Sequence, residues 1–408
     1  MANEVAIFGY GGSGVSAGTT RYYQPGGAIY VTATESQVQV KFRNPGTLSK
    51  LWTYVGANSI NTGTSTFVSR IDGVTGNLSV SIAAGATGAF SDDSNSDSIS
   101  SGQKVSIACI ASGASGSLNP YSHSSLYTPS TNYRGIMMSG SAGSASTYTV
   151  NTTRYAAVNG SLALFSAVAD SYLRVYRAGT WRNLQVNVSA NTVNVTTSAK
   201  SYVNGATGGQ TVSITASTTG WFEDNSGSDS LSASDLIAVQ FSSGAGTGTL
   251  DFYSIYSEMD SSAGFALAAI NANGATVATS TTKYIPLCNP LLLTSGETYY
   301  ARIPFACTAR RLRVQLYANT ISATSTAKSR INLADGSQSA SITASTTGWF
   351  EDSSGTDSVS SGDRADVSVT GGASGTSIGL SGCAMDFDVT VSIGGGGGGF
   401  VHSQGYSF

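Results

Sequence analysis

Twelve consecutive letters, SITASTTGWFED, occur twice in this chain, at 213–224 and at 341–352. A weaker copy, SIAAGATGAFSDD, runs from Ser81 to Asp93. Self-similarity at a fixed long period marks tandem copies of one folding unit. Other landmarks keep step with it. Thr-Thr-Arg/Lys-Tyr ends at Tyr22, Tyr155 and Tyr284, and hydrophobic alternations follow at Leu51–Val55, Leu184–Val188 and Leu312–Leu316. Each is trailed by Ala-Asn, at Ala57-Asn58, Ala190-Asn191 and Ala318-Asn319. Arg21 and Arg154 are 133 residues apart, and Arg154 and Lys283 are 129 apart. The spacing predicts modules at 1–133, 134–264 and 265–393. A tail, 394–408, opens with the glycines Gly394 to Gly399.

Within a module almost nothing reads as helix. Ala28–Thr32, Val38–Phe42 and Leu78–Ile82 alternate with period two, the mark of a half-buried strand. Asp72-Gly73, Asn204-Gly205 and Asp335-Gly336 supply turn chemistry between such runs. A module of this length holds about eight strands, the size of a jelly roll. The expected fold is all-β: three tandem antiparallel β-sandwich modules, jelly-roll-like, with a short Gly-rich C-terminal tail.

Charge excludes one function class. Charged residues make up 11% of the chain, against roughly 25% in ordinary domains, and the formal net charge is −3. With no block of Lys and Arg to neutralise phosphates, nucleic acid is not an expected partner. No apolar run approaches the ~20 residues that span a bilayer, so no membrane partner is expected either. The start, MANEVAIFGY, lacks a basic region followed by an apolar one, and no signal peptide is expected. A product made in the host cytoplasm yet built of extracellular-looking residues fits a virion surface.

Motifs of catalysis fall out of context. Gly9 to Gly14 matches GxGxxG, but Thr19, Thr20 and Pro25-Gly26-Gly27 follow where a dinucleotide site needs a helix. Gly375 to Gly379 matches GxSxG in a strand-like region, and the two histidines, His123 and His402, lie elsewhere in the chain. No enzyme is expected. The four cysteines, Cys109, Cys288, Cys307 and Cys383, show no CxxC spacing. Unpaired buried thiols are the favoured expectation, with a Cys288–Cys307 bridge as the other.

The acidic turns are the candidate metal ligands: Glu223, Asp224 and Asp229, then Glu351, Asp352 and Asp357, with Asp92, Asp93 and Asp97 in the first copy. Carboxylates interleaved with Asn and Ser could supply calcium's oxygens. The same residues serve any solvent-facing turn. No other cofactor is expected. Trp221-Phe222 and Trp349-Phe350 recur at one module position and are candidate core or interface anchors. In the tail, Phe400, Tyr406 and Phe408 are candidate anchors on a flexible tether.

The run Thr347 to Val359, with Gly362-Asp363 close behind, resembles the jelly-roll modules of the tumour-necrosis-factor and C1q-like type found in tailed-bacteriophage structural proteins and some bacterial surface fibres. The resemblance covers the second half of each module. The first copy has Ala89 in place of the Trp, and the second has Ser234-Asp235 in place of Gly-Asp. It implies a non-catalytic virion protein, decorating a capsid or forming a head or tail fibre through contacts with other virion proteins. It also implies trimers, or a pseudo-trimer of the three modules in one chain. A receptor- or carbohydrate-binding adhesin, with a cell-surface glycan as partner, is the second expectation.

Overall fold

The structure, a computed structural model, describes residues 5–10, 14–27, 31–130, 134–140, 146–261, 265–270, 275–287, 295–297 and 300–389. The tail residues Phe400, Tyr406 and Phe408, the poly-glycine run, Cys288 and His402 lie outside them.

The fold is all-β. Among the described residues there is no α-helix, only the 3-10 turns Glu35–Gln37 and Val168–Asp170. In module 1 the strands Val5–Tyr10, Ser117–Pro129, Gly46–Asn58 and Gly88–Ile99 form one sheet in that order. Thr20–Tyr23, Lys104–Ile110, Thr64–Ile71 and Val74–Ala83 form the other. Counted along the chain, these eight strands run 1-8-3-6 and 2-7-4-5, all antiparallel. That is one long hairpin wound around itself, the jelly-roll order. Strands within 134–261 and 265–389 repeat it.

Each sandwich buries a core between its sheets. Leu51, Leu78, Val80 and Ile107 fill the first, Leu184, Val212 and Val239 the second, Leu312, Ile342 and Val367 the third. Strand Val74–Ala83 keeps the alternation read from the sequence, with Leu78, Val80 and Ile82 inside.

Three local expectations need correction. Only Val40–Lys41 of Val38–Phe42 is a strand. Val38, Val40 and Phe42 are still buried, so the alternation records burial without a continuous ladder. Of Ala28–Thr32, the described part, Val31–Thr32, holds only an isolated bridge from Thr32 to Tyr22. The third hairpin turns at Asn332-Leu333, and Asp335-Gly336 sits inside strand Ala334–Ile342. Gly336 is glycine for another reason. A Cβ there would lie 2.6 Å from an Asp357 oxygen, as one at Gly76 would from Asp97 and one at Gly208 would, at 2.1 Å, from Asp229.

The modules close on one another. Their first strands, Val5–Tyr10, Arg134–Gly140 and Phe265–Ile270, pack mutually. Met138 and Tyr256 of module 2 join the core of module 1, Ala384 of module 3 joins that of module 2, and Leu126 of module 1 joins that of module 3. The sequence of contacts, 1 to 2, 2 to 3 and 3 to 1, is a ring.

Candidate functional site: the seams between modules

One backbone carbonyl marks every seam. Lys41, Arg174 and Arg302 occupy the same place, each in a short strand paired to the edge of Lys104–Ile110 or its equivalent. Gln185 Nε2 donates to the Lys41 carbonyl at 3.2 Å, Arg313 Nη2 to that of Arg174 at 3.3 Å, and Ser124 Oγ to that of Arg302 at 3.0 Å. Each donor belongs to the next module around the ring. Because the acceptor is backbone, it survives divergence of the side chains.

The receiving face is shaped by a bulge. Lys50, Asn183 and Arg311 all adopt left-handed backbone, with φ of 52°, 58° and 55°. Each sits where the ladder register slips. Such a bulge re-aims side chains and increases local twist. At the first–last seam, Lys50 Nζ reaches the Pro304 carbonyl at 2.9 Å.

Side-chain chemistry differs from seam to seam. Between modules 1 and 2, Glu223 takes Lys41 at 3.3 Å and also Arg43, while Asn44 Nδ2 donates to buried Glu258 at 2.8 Å. Between modules 2 and 3, Glu351 accepts from the Tyr176 hydroxyl and lies 3.6 Å from Arg174. Arg313 stacks 4.0 Å from the Tyr176 ring centroid. At the first–last seam, Ser91 stands where Glu223 and Glu351 stand. There the contact is aromatic: Tyr300 lies 5.1 Å from Tyr54 and 6.0 Å from Trp52.

The recurring aromatics divide their work. Phe90, Phe222 and Phe350 pack on their own cores, while Trp221 packs on the core of module 1, across the seam. Trp349 is half-buried opposite Gln315.

No family model and no curated protein matches the chain. Among solved structures, it is similar at 12% identity to a chain from the atomic structure of Sulfolobus Turreted Icosahedral Virus. That alignment covers 86% of this chain and 81% of the other, with a TM-score of 0.18. So low a score carries no argument about fold or function.

The other acidic residues are turn locks. Asp92, Asp224 and Asp352 accept the backbone N–H of Ser79, Thr211 and Ser339 at 2.9, 2.6 and 2.7 Å. Asp97, Asp229 and Asp357 accept those of Asn77, Gly209 and Ser337 at 2.6, 2.5 and 2.5 Å. These donors line the outer edge of Val74–Ala83 and its copies, where unpaired N–H groups would otherwise invite another strand. Burial pushes the Asp92 carboxyl up, but the N–H groups of Ser79, Asn95 and Ser94, with the Asn95 side chain, outweigh it and hold it at about 2. Oxygens aimed at N–H donors are not presented to a cation, and the calcium candidates do not converge. Among the described residues no group of three or more His, Cys, Asp or Glu is placed to hold a metal.

The remaining candidates sit apart. His123 is buried in module 1, near the carbonyls of Gln24 and Pro25, and burial, only partly opposed by those two, pushes its pKa down to about 4. The GxSxG match lies in module 3 within the strand Gly375–Val389. The Arg21 and Arg154 guanidiniums donate to the preceding carbonyls, and Lys283 bonds Ser295. Cys109, Cys307 and Cys383 are free and buried, and burial pushes each thiol to about 12. A polar cleft of about 310 Å³ opens at the first seam, lined by Arg43, Asn44, Arg182, Asn183, Asn225 and Ser226. No helix among the described residues is long and apolar enough to cross a membrane.

Proposed function

We propose that the chain is a non-catalytic virion structural protein of the capsid-decoration or fibre type, acting at the particle surface through contacts with other virion proteins. The observation that carries this reading is the closed ring of modules. One chain supplies all three jelly rolls of a trimer-like unit, and its recurring polar residues are committed to seams and edge locks. Such a unit is a rigid building block that needs no second copy to bury its module faces. Its neighbours then meet the outer loops. The test is immunogold labelling, with an antibody to module 2, of particles purified from the source culture. Dense, even label on heads or shafts supports the proposal; absence of particle label contradicts it.

The polar cleft at the first seam favours a second reading, an adhesin that holds a cell-surface glycan. Label confined to tail tips, together with glycan binding lost in Asn225→Ala, would select it.

A further inference from the structure

Modules 1 and 3 carry the same polar group on the outer face of one sheet. In module 1, Ser106 Oγ donates to Glu35 Oε1 at 2.8 Å. Arg70 holds Glu35 through Nε at 3.2 Å and Nη2 at 3.0 Å, and its guanidinium lies 5.8 Å from the Tyr22 ring centroid. In module 3, Arg330 holds Glu297 at 3.0 and 2.6 Å and lies 5.6 Å from the Tyr284 ring centroid. The fourth member is changed. Asp366 pairs with Arg330 across the ladder as Ser106 pairs with Arg70. Module 2 drops the group entirely: Val168, Tyr202 and Ala238 stand there, and the Tyr202 ring packs 5.1 Å from Tyr155.

A serine hydroxyl can donate to a carboxylate; a second carboxylate cannot. Asp366 is 1% exposed, and among the described residues neither of its oxygens meets a hydrogen-bond donor. An ionised carboxylate without donors in such a place is costly, and the group stays neutral instead.

We propose that Asp366 and Glu297 share one proton, Asp366 donating as the carboxylic acid where Ser106 donates in module 1, and that this pair is an alkaline-sensitive latch tying segment 295–297 to the strand Arg364–Thr370. Burial, then the Glu297 charge, raises the Asp366 carboxyl to about 9, with Arg330 acting against it. The other charged and titratable groups around the pair are Lys328 and Asp335, both tied into the Arg330 cluster, with Tyr284, Lys283 and, across the sandwich, Cys383. The folded chain thus keeps a proton that the unfolded chain releases near pH 4. Stability falls as pH climbs from there through the folded value. Once the proton is gone, two carboxylates face a single guanidinium and the latch opens.

The experiment uses the full chain. Thermal midpoints between pH 6 and pH 9 are compared for the wild type, Asp366→Asn, which keeps a donor without titrating, and Asp366→Ser, the residue of module 1. Infrared spectra at pH 7 are recorded in parallel for a protonated-carboxyl stretch. The wild-type midpoint is expected to fall with rising pH, and that of either folded variant to stay nearly level. The carboxyl band is expected in the wild type and absent from the variants. A wild type without the band at pH 7, or variants with the wild-type pH slope, would overturn the proposal. If neither variant folds, the wild-type band and its loss on titration toward pH 10 decide alone.

Discussion

Arg313, 1% exposed, holds Asp386 at 2.9 Å inside the seam between modules 2 and 3. The same guanidinium reaches the Arg174 carbonyl and stacks on Tyr176, so one side chain ties two modules by charge, hydrogen bond and ring contact. Trp52 and Gln185 occupy its place at the other seams. Removing one partner of a buried pair leaves the other uncompensated. Arg313→Ala is therefore expected to cost about 3–5 kcal/mol in urea unfolding. Arg313→Met with Asp386→Leu, the residue module 1 has as Leu126, should recover most of it. A double variant as unstable as Arg313→Ala would refute the argument.

The two ionic seams and the aromatic one should respond differently to salt. Glu223→Gln and Glu351→Gln remove part-buried ion pairs, worth about 1 kcal/mol each. The loss should shrink in high salt. Tyr300→Ala, at the seam without a glutamate, should cost about 3 kcal/mol or more through lost packing and be nearly salt-independent. Urea midpoints at low and high salt check both statements.

Acid sensitivity follows from the edge locks. Asp92 is depressed to about 2, and Asp224, Asp352 and Asp357 are lowered as well, burial in each case being outweighed by hydrogen-bond donors. A depressed carboxyl contributes stability present above its unfolded value near 4 and lost as pH falls through the folded one. Unfolding should therefore set in between about pH 4 and pH 2. Asp352→Asn should be less stable than the wild type at pH 7 and lose less on acidification, as followed by circular dichroism.

Close approach makes glycine obligatory at 76, 208 and 336. Gly208→Ala would press a methyl against Asp229 and Ser201. Overpacking of this kind costs about 1–3 kcal/mol. The turn residue Leu333 predicts the opposite sign. It holds φ at 68° where the other copies have Gly73 and Gly205. Leu333→Gly should raise stability by about 1 kcal/mol. Thermal melts of both variants check the pair.

Much of the fold was legible because burial period and turn chemistry are local properties. The twelve-letter repeat points to repeated β units, and Leu78–Ile82 reads directly as a strand. The Asn58, Asn191 and Asn319 repeat was visible too, though not its purpose. Each side chain staples a neighbouring turn, donating to carbonyls such as Ala83 and Ala86 while accepting the N–H of Ile60, Val193 or Ile321. The seams were hidden for a physical reason. Their acceptor is a backbone carbonyl, which leaves no residue signature, and their donors differ as Gln185, Arg313 and Ser124. Glu223 and Glu351 are visible in the sequence as acids, but only the packing of modules shows that they meet cations of a neighbouring module.

Closure of the ring within one chain is measured most directly by small-angle scattering with in-line light scattering on the purified protein. The prediction is a monomer of 41.5 kDa with a radius of gyration near that of one compact domain of this length, about 22 Å. A monomer above about 30 Å, as for three ~130-residue sandwiches strung end to end, would contradict it.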